Sequence, residues 1–536
     1  MKKLILAAAV AAASFAGYAR EVTADYNVVP LPASIQPGTS SAGFRLLPST
    51  AIVYEDASLL TDAGHLAGYL EKLTGNRPAI SALSGNGDNA IILRTAKLEN
   101  PEGYTLTVGP ERIEITGGSP AGVFYGIQTL RKSIPGEGGD SVLFPAINIQ
   151  DAPRFAYRGA HFDVSRHFFP ADSVKSYIDM IALHNINTLH WHLSDDQGWR
   201  IEIKSRPRLT EVGSQRKQTV IGHNTGEYDG IPYGGFFTQE EARDIVKYAA
   251  DRHITIIPEI DMPGHMLGAL AAYPELGCTG GPYDVWQIWG VSDDVLCAGN
   301  DETYRFIDDV LGEIADIFPS RYIHVGGDEC PKTRWAECPK CQAKIRELGI
   351  VTNEKHTAEQ QLQSNVIHHA SDFLASRGRN MIGWDETLEG GLAPGATVMS
   401  WRGESGGIEA ARQGHDVVMT PDSHMYFNFY QTLDREGEPD AFEAYIPIEK
   451  VYNYNPVPAA LTPEEGRHII GLQANLWTEY IPTLSQAQYQ ALPRMSALAE
   501  VQWSTAPKDF AAFLQRLPRM KAHYDAAGYN YYRRDH

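Results

Sequence analysis

Tyr322-Ile-His-Val-Gly-Gly-Asp-Glu329 begins as a β-favouring apolar run, crosses two glycines and ends on adjacent carboxylates. The run predicts a short buried strand. Side chains alternate along a strand, so His324, Gly326 and Asp328 are expected on one face. Glu329 shares a cavity with Asp328 only where the strand stops and the backbone turns. Gly326 and Gly327 leave room for a ligand to come close to the backbone. An isolated Asp-Glu pair at such a place is ordinarily a helix cap. The pattern on either side argues for more.

From Arg154 onward, short apolar runs recur at 157–163, 188–194, 255–261, 322–328, 380–384, 397–401, 416–420 and 469–477. Each is separated from the next by enough chain for a helix, which predicts parallel βα units. Eight such units between residues 153 and 506 predict an α/β fold, a (β/α)8 TIM barrel. Active sites in that fold lie at the carboxyl ends of the strands. The strand ends here deliver Arg158 and Asp163, Asp195 and Asp196, Asp261 and His265, and Asp328 and Glu329. Trp384 and Asp385, Trp401, Tyr426, and finally Trp477 and Glu479 follow. Carboxylates, a histidine and three tryptophans on one face point to a sugar-cleaving pocket. Upstream, 20–152 reads as a small α+β supporting domain. It has helices near 62–73 and 121–132, strands at 90–93, 104–108 and 112–116, and no catalytic constellation. Residues 507–536 predict a helical extension packed on the barrel.

Residues 1–19 carry Lys2 and Lys3, an Ala/Leu-rich run and Gly17-Tyr18-Ala19, the pattern of a cleaved signal peptide. The run is too short to span a membrane, and no second span follows. A periplasmic or secreted protein is expected. Net charge is −20 and becomes −22 once the two leader lysines are removed, which makes nucleic acid and anionic membrane surfaces poor partners. An oligosaccharide or glycoconjugate fits better; oligomeric state is left open. All nine tryptophans lie between Trp191 and Trp503, placing any sugar-stacking surface in the barrel. Five cysteines leave at least one thiol unpaired, and a Cys278–Cys297 disulfide closing a Gly-rich loop is expected. Cys338-Pro-Lys-Cys341 has metal-ligand spacing, but no fourth ligand stands nearby in sequence, so neither a metal nor a cofactor is expected.

Several motifs together resemble one family. Arg158-Gly-Ala-His-Phe-Asp-Val-Ser-Arg-His167, His190-Trp-His-Leu-Ser-Asp-Asp-Gln-Gly-Trp199 and Pro258-Glu-Ile-Asp-Met-Pro-Gly-His265 are similar to stretches of glycoside hydrolase family 20, the β-N-acetylhexosaminidases. His324–Glu329 resembles that family's signature, and Trp477-Thr-Glu479 its closing strand. The resemblance implies exo-acting release of terminal β-linked GlcNAc or GalNAc by a retaining, substrate-assisted reaction, in which the sugar's own 2-acetamido oxygen attacks. It implies Glu329 as acid/base, Asp328 as partner of the acetamido N–H, and Asp195, Asp261 and His265 as the network positioning the acid. Trp384, Trp401 and Trp477 become pocket walls, Tyr426 a donor to the acetamido carbonyl, and Arg158 and Glu479 grips on the outer hydroxyls. An ionised Asp328 is expected to raise the pKa of Glu329. One position departs: Asn428 stands where many members carry Asp, which predicts tolerance of a 6-O-sulfated sugar. Two rival readings are a two-carboxylate retaining hydrolase and a sugar-binding protein without catalysis. Strand seven, Val417-Val-Met-Thr-Pro-Asp422, offers no Glu for the first, and retention of both Asp328 and Glu329 speaks against the second.

Overall fold

The computed structural model describes residues 20–38, 40–85 and 87–534. The expected signal peptide lies outside these residues.

The amino-terminal part builds a seven-stranded mixed sheet. Its spatial order is Ser34–Pro37, Ile147–Asp151, Tyr104–Val108, Arg112–Gly117, Ala90–Thr95, Ala51–Tyr54 and Ala79–Ala82. Helices Leu60–Thr74 and Pro120–Ser133 pack on it. Pro120 opens the second helix, where its missing N–H costs nothing. Gly75, at φ 73°, ends the first with its N–H on the Glu71 carbonyl, a left-handed cap. Ser34–Pro37, Ala51–Tyr54 and Ala79–Ala82 were not visible in the sequence pattern. They are short, and most are half-exposed rather than cleanly alternating.

Residues 157–474 close an eight-stranded parallel barrel. Its strands are β1 (Tyr157–Asp163), β2 (Thr188–His192), β3 (Thr255–Glu259), β4 (Tyr322–His324), β5 (Asn380–Trp384), β6 (Thr397–Ser400), β7 (Val417–Met419) and β8 (Ile469–Ala474). Strand β8 pairs with both β7 and β1, so no edge remains. The apolar core between strands and surrounding helices is continuous with that of the amino-terminal domain. The barrel interior is mixed: Ile257, Ile382, Trp384, Met399 and Val418 share it with His161, His190, His324, Glu259 and Gln473. Helix Phe510–Ala527 is more than a cover for the barrel. Its Tyr524 hydroxyl lies 2.7 Å from His184 Nε2, while Arg519 donates to Ser133 and Asp25 of the amino-terminal domain.

At the level of the fold, one site expectation and the disulfide expectation fail. Arg158 is the second residue of β1, near its amino end, and is fully buried. Its guanidinium donates to Glu102 Oε1 and Oε2 at 2.9 and 2.8 Å, to the Tyr125 hydroxyl at 2.8 Å and to the Asn185 carbonyl at 2.9 Å. It therefore joins the barrel to the amino-terminal domain and cannot grip a sugar at the opposite end. The Cys278–Cys297 disulfide is absent as well: all five cysteines carry free sulfurs.

Candidate active site

Strand β4 stops at His324, four residues earlier than its apolar run suggested. Gly326 (φ 65°) and Gly327 (φ 101°) turn the chain out of the barrel wall, and Glu329 itself is left-handed at φ 43°. Gly326 admits no other residue, because a Cβ there would collide with Asp261 Oδ1. The turn is held by Asp261 Oδ1, which accepts the Gly327 N–H at 3.2 Å, and by Gln363 Nε2, which donates to the Gly327 carbonyl at 2.7 Å. This geometry separates the neighbouring carboxylates. The Asp328 side chain is 13% exposed and points inward, while that of Glu329 is 43% exposed at the pocket mouth.

His265, also left-handed at φ 52°, stands between them and the β2 carboxylates. Its Nδ1 is 3.1 Å from Asp196 Oδ2 and 3.3 Å from Asp195 Oδ1; its Nε2 is 3.4 Å from Glu329 Oε2 and 3.8 Å from Asp328 Oδ2. Asp261, the partner expected from sequence, makes no hydrogen bond to His265 and instead faces Asp328 beneath Gly327. Asp196 takes the place given to it. The chain of contacts continues inward: Asp195 Oδ2 lies 2.9 Å from His192 Nε2, and His192 Nδ1 lies 2.6 Å from Glu259 Oε2. Glu259 also meets His190 Nε2 at 3.0 Å, His324 Nδ1 at 3.1 Å and the Trp384 indole N–H at 2.9 Å. Burial alone would protonate such a carboxylate, but three imidazoles hold it well below the usual range. Burial disfavours a charged His192, yet Glu259 and Asp195 raise it to about 10. Nothing in one sequence marks Glu259 or the histidines, because their spacing reveals them only once the barrel closes.

The charge balance of the carboxylate pair differs from expectation. Burial raises Asp328 to about 6, whereas the close His265 imidazole, 3.4 Å away, lowers Glu329 below the ordinary glutamate value. Asp261 rises well above the carboxylate range through burial and the neighbouring Asp328 charge, so these two aspartates favour holding a proton. The like-charge argument thus acts on the buried partner, while the exposed Glu329 answers first to His265.

The pocket, of about 210 Å³, is lined by Arg166, Asp328, Glu329, Trp384, Trp401, Asp422, Tyr426, Asn428, Phe429, Phe442, Trp477 and Glu479. Trp384 and Trp477 rings stand 5.8 Å apart, and Trp401 stacks at 6.1 Å against Tyr426. Arg166, which the sequence reading passed over, is the arginine of this site. It donates to Asp163 at 3.2 Å, pairs with Asp195 at 3.0 Å, lies over Trp477 at 5.0 Å, and reaches Glu479 at 4.0 Å. Asp163 in turn accepts the backbone N–H groups of Ser165, Arg166 and Thr478, tying β1 to the segment after β8. Glu479 is raised to about 7 by burial, against the pull of Arg166. Three lining oxygens, Asp328 Oδ1, Asn428 Oδ1 and Glu479 Oε2, are buried without a hydrogen-bond partner among the described residues. Buried acceptors left unpaired are costly and call for donors from a ligand. A larger cavity of about 600 Å³ lies at the other end of the barrel, among Asn187, Thr255, Tyr322 and Ile470. It falls at the amino ends of the strands, where this fold does no chemistry.

An acid at the mouth of an aromatic-walled, acceptor-rich pocket on the carboxyl face of a parallel barrel defines a barrel glycoside hydrolase. The comparisons agree. Residues 155–506 match the catalytic domain of glycosyl hydrolase family 20, and residues 25–152 match domain 2 of the same family. The chain belongs to glycosyl hydrolase family 20. It is 45% identical over 522 residues to a beta-hexosaminidase of Porphyromonas gingivalis, covering 94% of this chain and 64% of that protein. It is 31% identical over 520 residues to a beta-N-acetylhexosaminidase of Cellulomonas fimi, covering 95% and 96%. The GH20 beta-N-acetylhexosaminidase of Streptomyces coelicolor superposes with a TM-score of 0.81 at 34% identity, covering 95% of this chain and 97% of that one. A mutant beta-hexosaminidase of Streptomyces plicatus, in complex with its product GlcNAc, also superposes with a TM-score of 0.81 at 34% identity, covering 95% and 96%.

Proposed function

We propose that the protein is an exo-acting β-N-acetylhexosaminidase that removes a terminal, non-reducing β-linked GlcNAc or GalNAc by a substrate-assisted, retaining reaction. The observation that carries this reading is the inward Asp328, with one oxygen unpartnered, beside a mouth-facing Glu329. In the first step Glu329 gives its proton to the leaving oxygen as the glycosidic bond breaks. The acetamido oxygen then bonds to the anomeric carbon, while Asp328 accepts the acetamido N–H and offsets the ring's positive charge. In the second step Glu329 takes a proton from water as water opens that ring, retaining the β configuration.

At about 6, Asp328 is already largely ionised at neutral pH, so only Glu329 must gain a proton, and binding supplies that change. A sugar covering Glu329 removes it from water and raises its pKa, while an N–H donated to Asp328 favours the ionised carboxylate. Trp384, Trp401 and Trp477 form the walls, Tyr426 holds the acetamido carbonyl, and Arg166 with Glu479 takes the outer hydroxyls that Arg158 cannot reach. Turnover of a chromogenic N-acetylglucosaminide, and its inhibition by an acetamido-thiazoline mimic of the cyclised intermediate, tests the proposal. Equally fast cleavage of a plain β-glucoside, or resistance to the thiazoline, would place the chemistry on a second carboxylate such as Asp422.

Asn428 supports a narrower proposal, tolerance of a 6-O-sulfated sugar, because it removes one negative charge from the pocket wall. Asp422 still lines the pocket and Arg166 is the one cationic side chain among the lining residues, so tolerance rather than preference is expected. Asn428→Asp should lose the sulfated substrate selectively; an unchanged ratio of kcat/KM would assign specificity elsewhere. An exported location is proposed from the sequence of residues 1–19, and an amino-terminal sequence of the mature protein beginning near Arg20 would support it.

A further inference from the structure

Cys278, Cys297, Cys338 and Cys341 belong to two segments. The first pair lies in the long excursion after β3, the second in that after β4. A bridge between Gly277 and Leu296, with the Cys297 N–H on the Leu276 carbonyl at 2.7 Å, draws the first pair together. Trp335 ties the second segment to the first by donating its indole N–H to the Leu296 carbonyl at 2.9 Å. Cys338 caps helix Pro339–Glu347 and Cys341 sits in its first turn, where the positive end of the helix favours thiolate. A Cβ on Gly299 would collide with the Cys341 backbone nitrogen, so glycine is what lets the two segments close.

All four sulfurs lie within 4.8 Å of one another. Cys297 is 3.6 Å from Cys341 and 3.7 Å from Cys338, and Cys278 is 3.8 Å from Cys341. A disulfide would hold sulfurs at about 2.05 Å. A tetrahedral zinc ion with bonds of about 2.3 Å sets its ligands about 3.8 Å apart, which is the spacing seen. Three of the four are buried, and a buried cluster of bare thiols gains little from weak S–H contacts.

We propose that these four cysteines bind one zinc ion as a closed structural site. Each thiol gives its proton to solvent on binding, no electron moves, and four sulfur ligands leave no open position for catalysis. The site fastens together the two segments that carry the catalytic contact. The first holds His265 and the second Glu329, and the segments meet again where Gly264 packs on Cys330. The ion thereby fixes the His265–Glu329 geometry from a distance, independently of which sugar the pocket takes.

Metal analysis of the full-length protein, purified without chelator, is expected to give one zinc per chain. Cobalt exchanged into the site should give the intense visible bands and near-ultraviolet charge transfer of tetrahedral thiolate ligation. Four thiols should become reactive only after a strong chelator is added, with a fall of several degrees in thermal midpoint. Cys297→Ser should abolish the cobalt spectrum, and if that variant does not fold, the wild-type metal content still decides. Two disulfides in the non-reduced mass, or freely reactive thiols without bound metal, would overturn the proposal.

Discussion

At Glu329 the decisive quantity is a proton, and the structure makes its position depend on occupancy. With the free site favouring a proton near Asp328 at about 6 and a depressed Glu329, kcat/KM should fall as pH drops below about 6, because Asp328 must be ionised to meet the acetamido group. Asp328→Asn should remove that acid limb along with most of kcat. A limb that survives in the variant would assign it to another group. Glu329→Gln should slow natural glycosides by several orders of magnitude and activated aryl glycosides far less, since an activated leaving group needs little acid help. Equal losses on both would deny Glu329 the acid role. Arg166 offers a third test at this scale. Arg166→Lys keeps the charge but loses the planar fork that spans Asp163 and Asp195, so kcat/KM should fall at least tenfold with little change in thermal midpoint. Arg158→Lys should do the reverse. These two arginines also show where the sequence misleads. They lie eight residues apart in one motif, and the span expected from sequence, 157–163, is the one observed. It already set Arg158 at the closed end and Arg166 past the open one; the family resemblance, not the strand, drew the sugar-gripping role to Arg158.

At the scale of elements, all eight barrel strands were legible, because parallel strands buried on both faces read as continuous apolar runs. Their lengths were less legible. Strand β4 was expected over 322–328 but ends at His324, since backbone conformation at two glycines outweighs apolar content. That early end creates the site: a full-length strand would alternate Asp328 and Glu329 across the wall and leave one outside the pocket. The four-cysteine cluster shows the same limit, as its two halves meet only through loop folding after β3 and β4. Gly326→Ala tests the turn. Left-handed backbone costs about 1–2 kcal/mol for a residue with a Cβ, and here the Cβ also strikes Asp261. Activity should drop at least a hundredfold with the far-ultraviolet spectrum unchanged. Gly391→Ala is the control: its φ is 104°, but nothing lies within 4 Å of the added Cβ, so stability alone should fall, and only slightly. Comparable losses of activity in both variants would show that the Asp261 contact does not matter.

Across the whole molecule, none of the described residues of the amino-terminal domain lines the pocket, yet that domain supplies the counter-charge for a guanidinium buried at the bottom of the barrel. Burial would otherwise raise Glu102, but its paired bonds from Arg158 lower it below the ordinary glutamate value. The contribution of a depressed carboxylate is fully present above the unfolded glutamate pKa, near 4.3, and is lost as pH falls through the folded value. Glu102→Ala removes the partner and strands the Arg158 charge, which costs about 3–5 kcal/mol for a buried pair. Replacing both residues, Arg158→Met with Glu102→Leu, should cost much less, because no charge is left behind. Thermal unfolding at neutral pH should therefore rank wild type above the double variant and the double variant above Glu102→Ala. The gap between wild type and Glu102→Ala should narrow as pH is lowered, since protonating Glu102 strands Arg158 in the wild type too. Activity per folded molecule should hold in all three, because the pair sits at the end of the barrel away from the acid. A Glu102→Ala protein as stable as wild type would show that the two domains are held by their continuous apolar core, with the ion pair contributing nothing measurable.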